Sequence, residues 1–117
     1  MSHLDRFFNA YLECAFWSSI DDDGRQIDEN YSPEDLTDHA RAAQRAECVA
    51  FIDANREDLE GIDATQAGHD FWLTRNGHGA GFWDRGLGER GERLSAAARV
   101  YGEVYLWADE SGAVHAG

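Results

Sequence analysis

The sequence predicts an α+β domain: two N-terminal helices, then a hairpin, a helix and a C-terminal hairpin, the strands forming a small antiparallel sheet packed against helices. Three observations predict it. Apolar residues recur at helical spacing through the first half, an Asn-Gly pair lies between strand-like runs at 71–75 and 80–84, and an alternating run at 103–108 leads into a turn ending at Gly112. A single domain covers residues 1–117, with no internal repeat or low-complexity linker to divide it.

The first helix is read from Leu4, Phe7, Phe8, Tyr11, Leu12 and Ala15, which follow the i, i+3, i+4, i+7 rule to about Trp17 or Ser18. A polar loop follows at 19–31, with Asp23-Gly24 as its turn. Ser32-Pro33-Glu34-Asp35 reads as a helix start: a capping serine, a proline at the first position and acids facing the positive end of the helix dipole. Leu36, Ala40, Ala43, Ala46, Val49, Ala50, Phe51 and Ile52 carry that second helix to about Arg56 or Leu59, before Gly61, and its alanines suit close packing against the first. Asn76-Gly77 is a strong hairpin turn signal, which puts Phe71, Trp72, Phe82 and Trp83 on the two faces of a sheet. Leu94, Ala97, Ala98 and Tyr101 mark a third helix over 87–100, stopped by Gly102, and a second hairpin closes the chain.

Charge separates the two halves. Ten arginines, no lysine and 23 acids give a formal net charge of −13. Through Asp63 there are 16 acids and 5 arginines (−11), and beyond it 7 acids and 5 arginines (−2). Such a field repels phosphate backbones and anionic membranes, and favours basic partners. No apolar run reaches membrane-span length, and the first residues lack the basic region and cleavage site of a signal peptide, so a cytoplasmic protein is expected. In that compartment Cys14 and Cys48, both on apolar helical stretches, are expected as reduced, buried thiols.

The most distinctive segment is 68–84, Gly-His-Asp-Phe-Trp-Leu-Thr-Arg-Asn-Gly-His-Gly-Ala-Gly-Phe-Trp-Asp. With the helix ending in Ala-Arg-Val-Tyr-Gly102 and the Asp-Glu-Ser-Gly112 turn, it resembles a group of small, uncharacterised proteins of bacteriophages and other mobile elements. The likeness covers about residues 67–114 and does not extend to the acidic half. It implies a phage or mobile-element origin and carries no activity. Short acidic proteins of that origin often occupy the nucleic-acid groove of a host protein, with carboxylates standing in for phosphates.

The leading functional expectation is therefore a non-enzymatic, DNA-mimic-like decoy that binds, and in binding inhibits, a host nucleic-acid-binding or defence protein. The contacting residues expected are Asp21, Asp22, Asp23, Asp28, Glu29, Glu34, Asp35 and Asp38, with Asp53, Glu57, Asp58, Glu60 and Asp63 as a second group. Duplex DNA carries about one charge per 1.7 Å of axis, so dense carboxylates can fill arginine and lysine sites built for phosphates. The competing view is that these acids only solvate a surface, and the helix dipole already accounts for Glu34 and Asp35.

The alternative class is a small enzyme or ligand-binding domain using His69, Asp70, Arg75, Asn76 and His78 in the aromatic hairpin. On a strand, His69 and Asp70 would point to opposite faces, which weakens a dyad. No zinc signature accompanies the histidines, and Asp21-Asp22-Asp23 fails the calcium-loop pattern because Arg25 and Gln26 occupy its fifth and sixth positions. Gly86-Leu-Gly-Glu-Arg-Gly91 lacks the rest of a dinucleotide-binding unit, so no metal or cofactor is expected. A homodimer sealed by a sheet edge or aromatic patch is compatible with the sequence.

Overall fold

The computed structural model describes residues 2–21 and 23–117. Five helices precede a two-stranded ribbon: α1 His3–Ser18, α2 Asp38–Ala54, α3 Arg56–Leu59, α4 Ala64–Arg75, α5 Glu89–Arg99, β1 Leu106–Ala108 and β2 Val114–Ala116. The architecture is mostly helical with one small antiparallel sheet. Among the described residues, no helix is long and apolar enough to cross a membrane.

Helix α1 starts at a capping box in which the Ser2 hydroxyl accepts from the Asp5 amide at 3.0 Å and the Asp5 carboxylate accepts from the Ser2 amide at 3.3 Å. Its buried stripe of Phe7, Phe8, Tyr11, Leu12 and Ala15 lies chiefly against α4. The two helices cross closely because Gly68 has no side chain: a Cβ there would stand 2.1 Å from the Phe7 carbonyl oxygen. Around this crossing Phe51 and Phe71 stack at 4.2 Å, and Tyr11 meets Trp72 edge-on at 5.3 Å.

The expected hairpin at 71–84 is a helix and a turn instead. Asp63 caps α4 by accepting from the Gln66 amide at 3.2 Å, and helical conformation then runs through Arg75. A hairpin turn of the expected type requires positive φ at both central residues. Asn76 has φ −96° and only Gly77 is positive, at 69°. The pair serves as a helix stop: the Gly77 amide donates to Thr74 O at 3.2 Å and the His78 amide to Leu73 O at 3.0 Å, the two bonds of a Schellman cap. Phe71, Trp72 and Phe82 are accordingly core residues of a helical layer, while Trp83 is about half exposed. No four-stranded sheet forms.

Two further expectations are corrected. Ser32–Pro33 opens only the single 3-10 turn Pro33–Asp35, because buried Leu36 turns extended to bridge Val114 in parallel. The Thr37 amide donates to Val114 O at 3.0 Å, and the Thr37 hydroxyl then caps α2 by accepting from the Ala40 amide. The alanines of α2 do not form a packing stripe, since Ala43, Ala46 and Ala50 are exposed and Ala40 alone among the predicted alanines is buried.

The C-terminal hairpin is present and short, with Leu106 opposite Ala116, Trp107 opposite His115 and Ala108 opposite Val114. Trp107 and His115 stack at 4.1 Å on its exposed face. Asp109 organises the turn: it accepts from the Ser111 amide and hydroxyl and from the Ala113 amide, and pairs with the His115 ring at 2.8 Å. The His115 and Ser111 hydrogen bonds hold the Asp109 carboxyl below its ordinary value of 3.8. A folded-state value depressed in this way stabilises the ribbon above that ordinary value and loses the contribution as pH falls below it. The expected result is that the ribbon loosens selectively in acid, read as a change in the Trp107 indole resonance as pH falls from about 4 to about 1.5, through the depressed value, that Asp109→Asn abolishes. An unchanged Trp107 signal would remove Asp109 from that role.

Candidate functional site

The five polar candidate residues of segment 68–84 are not gathered into one site. His69 and Asp70 leave α4 about 100° apart. His69 is half-buried and faces a surface groove, whereas Asp70 is buried and accepts from Gln66 Nε2 at 3.1 Å and from Arg85 Nε and Nη2 at 3.2 and 2.9 Å. The hydrogen bond to Asp70 raises the Arg85 pKa above its ordinary value. Asn76 clamps chain to chain, its Nδ2 donating to Trp72 O and its Oδ1 accepting from the Val104 amide. His78 is exposed on the far side of the helix stop.

Arg75 lies inside the molecule, its side chain 1% exposed. Nε donates to Gly102 O at 2.8 Å, Nη1 to Tyr11 Oη at 3.0 Å, and Nη2 to Tyr101 O at 2.9 Å and Glu47 Oε2 at 3.1 Å. Tyr11 in turn donates to Gln44, and burial pushes its hydroxyl well above the ordinary phenol range. This network ties α1, α2 and α4 to the segment after α5. The distinctive segment is thus largely a determinant of the fold, and of its five polar members only Asn76 and His78 line a common cavity, the one of about 370 Å³ under β1.

The acids divide by local role. Asp21 closes a loop by accepting from the Asp23 and Arg25 amides, Glu34 accepts from the Ser32 hydroxyl, and Asp35 accepts from the Ser32 amide. The Ser32 bond lowers the Glu34 pKa. In the second group Asp53 pairs with Arg56, Asp58 takes a two-pronged contact from Arg93 at 2.7 and 2.9 Å, and Asp63 caps α4. Asp28, Glu29 and Asp38 are exposed and form no ion pair among the described residues. Asp22 lies outside the described residues.

The sequence reading missed the groove that His69 faces. It is a cavity of about 610 Å³ between α1, α4 and residues 28–33, with Phe16, Trp17, Tyr31 and Leu73 as apolar walls and Glu13 and Asp28 among its lining. Smaller cavities adjoin it through shared residues: one of about 270 Å³, bordered by Arg41, shares Glu13 and Pro33, and two more run toward β1. Tyr31 also lines one of about 170 Å³, and Ile20 of that cavity also lines one of about 370 Å³ under β1. Cys14 lies in the wall of the first, but burial pushes its thiol up to about 12, the opposite of what a nucleophile needs. Burial likewise raises Cys48, and both cysteines are free and buried. Trp17, at the end of the α1 stripe, borders this cavity and is 59% exposed. Among the described residues, no group of three or more His, Cys, Asp or Glu is placed to hold a metal ion. No family model, curated protein or solved structure matches the chain.

Proposed function

We propose that the chain is a protein-binding module, of phage or mobile-element origin, whose acidic surface engages and inhibits a basic host partner of the nucleic-acid-binding or defence class in the host cytoplasm. The single observation that carries this reading is the contrast between the two kinds of charge. Arg75, Arg85, Arg90 and Arg93 are held in internal contacts, to carbonyls or to Glu47, Asp70 and Asp58, whereas Asp28, Glu29 and Asp38 face solvent with no ion pair among the described residues. With most of its arginines held by carbonyls or carboxylates and a formal net charge of −13, the surface presents a negative potential that steers arginine- and lysine-rich surfaces toward it. A phage or mobile-element origin, expected from segment 68–84, would make a host protein that partner.

The test is capture from host lysate at low and high salt with competitor DNA. The wild-type chain is expected to retain a nucleic-acid-binding protein that high salt and DNA both displace, because exposed charge pairs are screened over about 8–10 Å at physiological salt. Asp28→Lys, Glu29→Lys and Asp38→Lys combined should weaken capture by at least about tenfold, with the helical circular dichroism unchanged since none of the three side chains forms a hydrogen bond or ion pair among the described residues. Capture that survives both high salt and the triple reversal overturns the proposal.

A further inference from the structure

The cavity faced by His69 and the two that run from it toward β1 share a chemistry that the acid-only reading does not use. The first cavity has a mainly apolar floor built from Phe16 and Leu73, and Leu106 supplies an apolar wall shared by the two more polar cavities beside β1. Trp17 and Ile20 stand out from this lining at 59% and 64% exposure. Carboxylates recur along the whole course: Glu13 and Asp28 in the first cavity, Asp21 and Asp23 in the second, Glu103 in the third. None of the chain's ten arginines lines any of the three.

We infer that this linked groove is the docking channel for a basic amphipathic polypeptide segment of the partner, one whose apolar side chains enter between α1, α4 and β1 while its arginines or lysines meet the flanking carboxylates. The inference rests on the proposed function and specifies it. Charge complementarity selects the occupant. A second copy of this chain would bring carboxylates against carboxylates at −13 each, and an anionic membrane or nucleic acid meets the same repulsion. An acidic or neutral apolar segment would leave the rim carboxylates desolvated without partners. A bare polycation would satisfy the rim and leave the apolar floor wet. An arginine above Trp17 or Tyr31 would add a cation–π contact to its carboxylate pairing. A chain of three cavities joined by shared walls suits a polypeptide better than a compact small molecule, because successive side chains can fill successive lobes.

The experiment titrates the full ¹⁵N-labelled chain with three synthetic peptides of equal length: an amphipathic leucine–arginine helix, an oligo-arginine peptide, and a leucine–glutamate counterpart of the first. At about 0.15 M salt the leucine–arginine peptide should bind at least about tenfold more tightly than oligo-arginine, and should shift the Trp17 indole and the Tyr31 and Leu73 amides. Trp17→Ala with Ile20→Ser should remove that advantage and leave oligo-arginine binding as it was. Both side chains are mostly exposed, and an unchanged thermal midpoint establishes that the fold is intact. Equal affinity for the two cationic peptides, with Trp17 unmoved, overturns the groove and leaves the charge-based function standing. Binding of the leucine–glutamate peptide overturns the charge matching, and failure of all three to bind overturns the inference, while lysate capture decides the parent proposal independently.

Discussion

Replacing Arg75 with methionine is expected to lower the thermal midpoint by about 10 °C or more, equivalent to roughly 3 kcal/mol. Methionine approximates the length of the arginine stem, so the loss is one of polar partners and not of volume. Four contacts end together: Tyr11 Oη, the carbonyls of Tyr101 and Gly102, and the Glu47 carboxylate. Removing one partner from a buried polar set costs more than the set contributes net, because the groups left behind have already given up water. Glu47 bounds the figure from above, since its side chain is 33% exposed and can turn to solvent once unpaired. Glu47→Gln, which keeps a hydrogen-bonding oxygen, should therefore cost only about 1 kcal/mol. Urea denaturation followed by tryptophan fluorescence measures both. An Arg75→Met loss below about 1 kcal/mol would mean the contacts behave like an exposed pair, and would contradict the burial described above.

Gly68→Ala should also destabilise, by about 2 kcal/mol, against the usual sign of this change. In a helix interior, alanine is normally better than glycine by about 0.5–1 kcal/mol. Here the added Cβ would meet the Phe7 carbonyl oxygen at 2.1 Å and the Ala10 Cβ at 3.2 Å. The nearest obstacle is backbone in a packed helix, so no rotamer change relieves it and α1 must shift away from α4. That shift loosens the largest contact between elements in the fold, and the packing loss outweighs the propensity gain. Gly79 is the control, because a Cβ there meets nothing within 4 Å. Gly79→Ala should fall within about 0.5 kcal/mol of the parent. Unfolding by urea separates the two, and a Gly68→Ala variant more stable than the parent would refute the close crossing.

What the sequence made legible was the amphipathic kind of element. Helix α1 carries a one-sided stripe, α5 a shorter one, and the final hairpin has alternation with an Asp-Glu-Ser-Gly turn, so each was readable from local pattern. Helix α4 was not, for a physical reason. It is buried on most of its circumference, through Ala67, Gly68, Asp70, Phe71, Trp72, Thr74 and Arg75, and three of those seven are polar or charged side chains whose partners lie far away in sequence. A helix buried on most of its circumference shows no clear stripe, and Asn-Gly is as good a helix stop as a hairpin turn. The groove was illegible for a related cause. Its walls come from α1, α4, residues 28–33 and β1, which only the tertiary fold assembles. The acids were easy to list, yet which were already engaged in caps and pairs depended on Ser32, Arg56 and Arg93 standing where they do.

The ribbon's attachment bears on how permanent the groove is. A lone two-stranded hairpin is marginal in water. This one is held by the contact of Val114 with Leu36 and by the grip of Arg75 on the residues just before β1. Such a unit opens by local unfolding at a smaller free energy than the helical body. Leu106 walls both cavities beside β1, so their depth is a time average governed by that opening, while the cavity built on α1 and α4 persists. A ligand seated across all three lobes would bind only the closed ribbon. Its affinity would then carry the closing equilibrium as a factor, and amide exchange in β2, which lines none of the cavities, would slow as the groove fills.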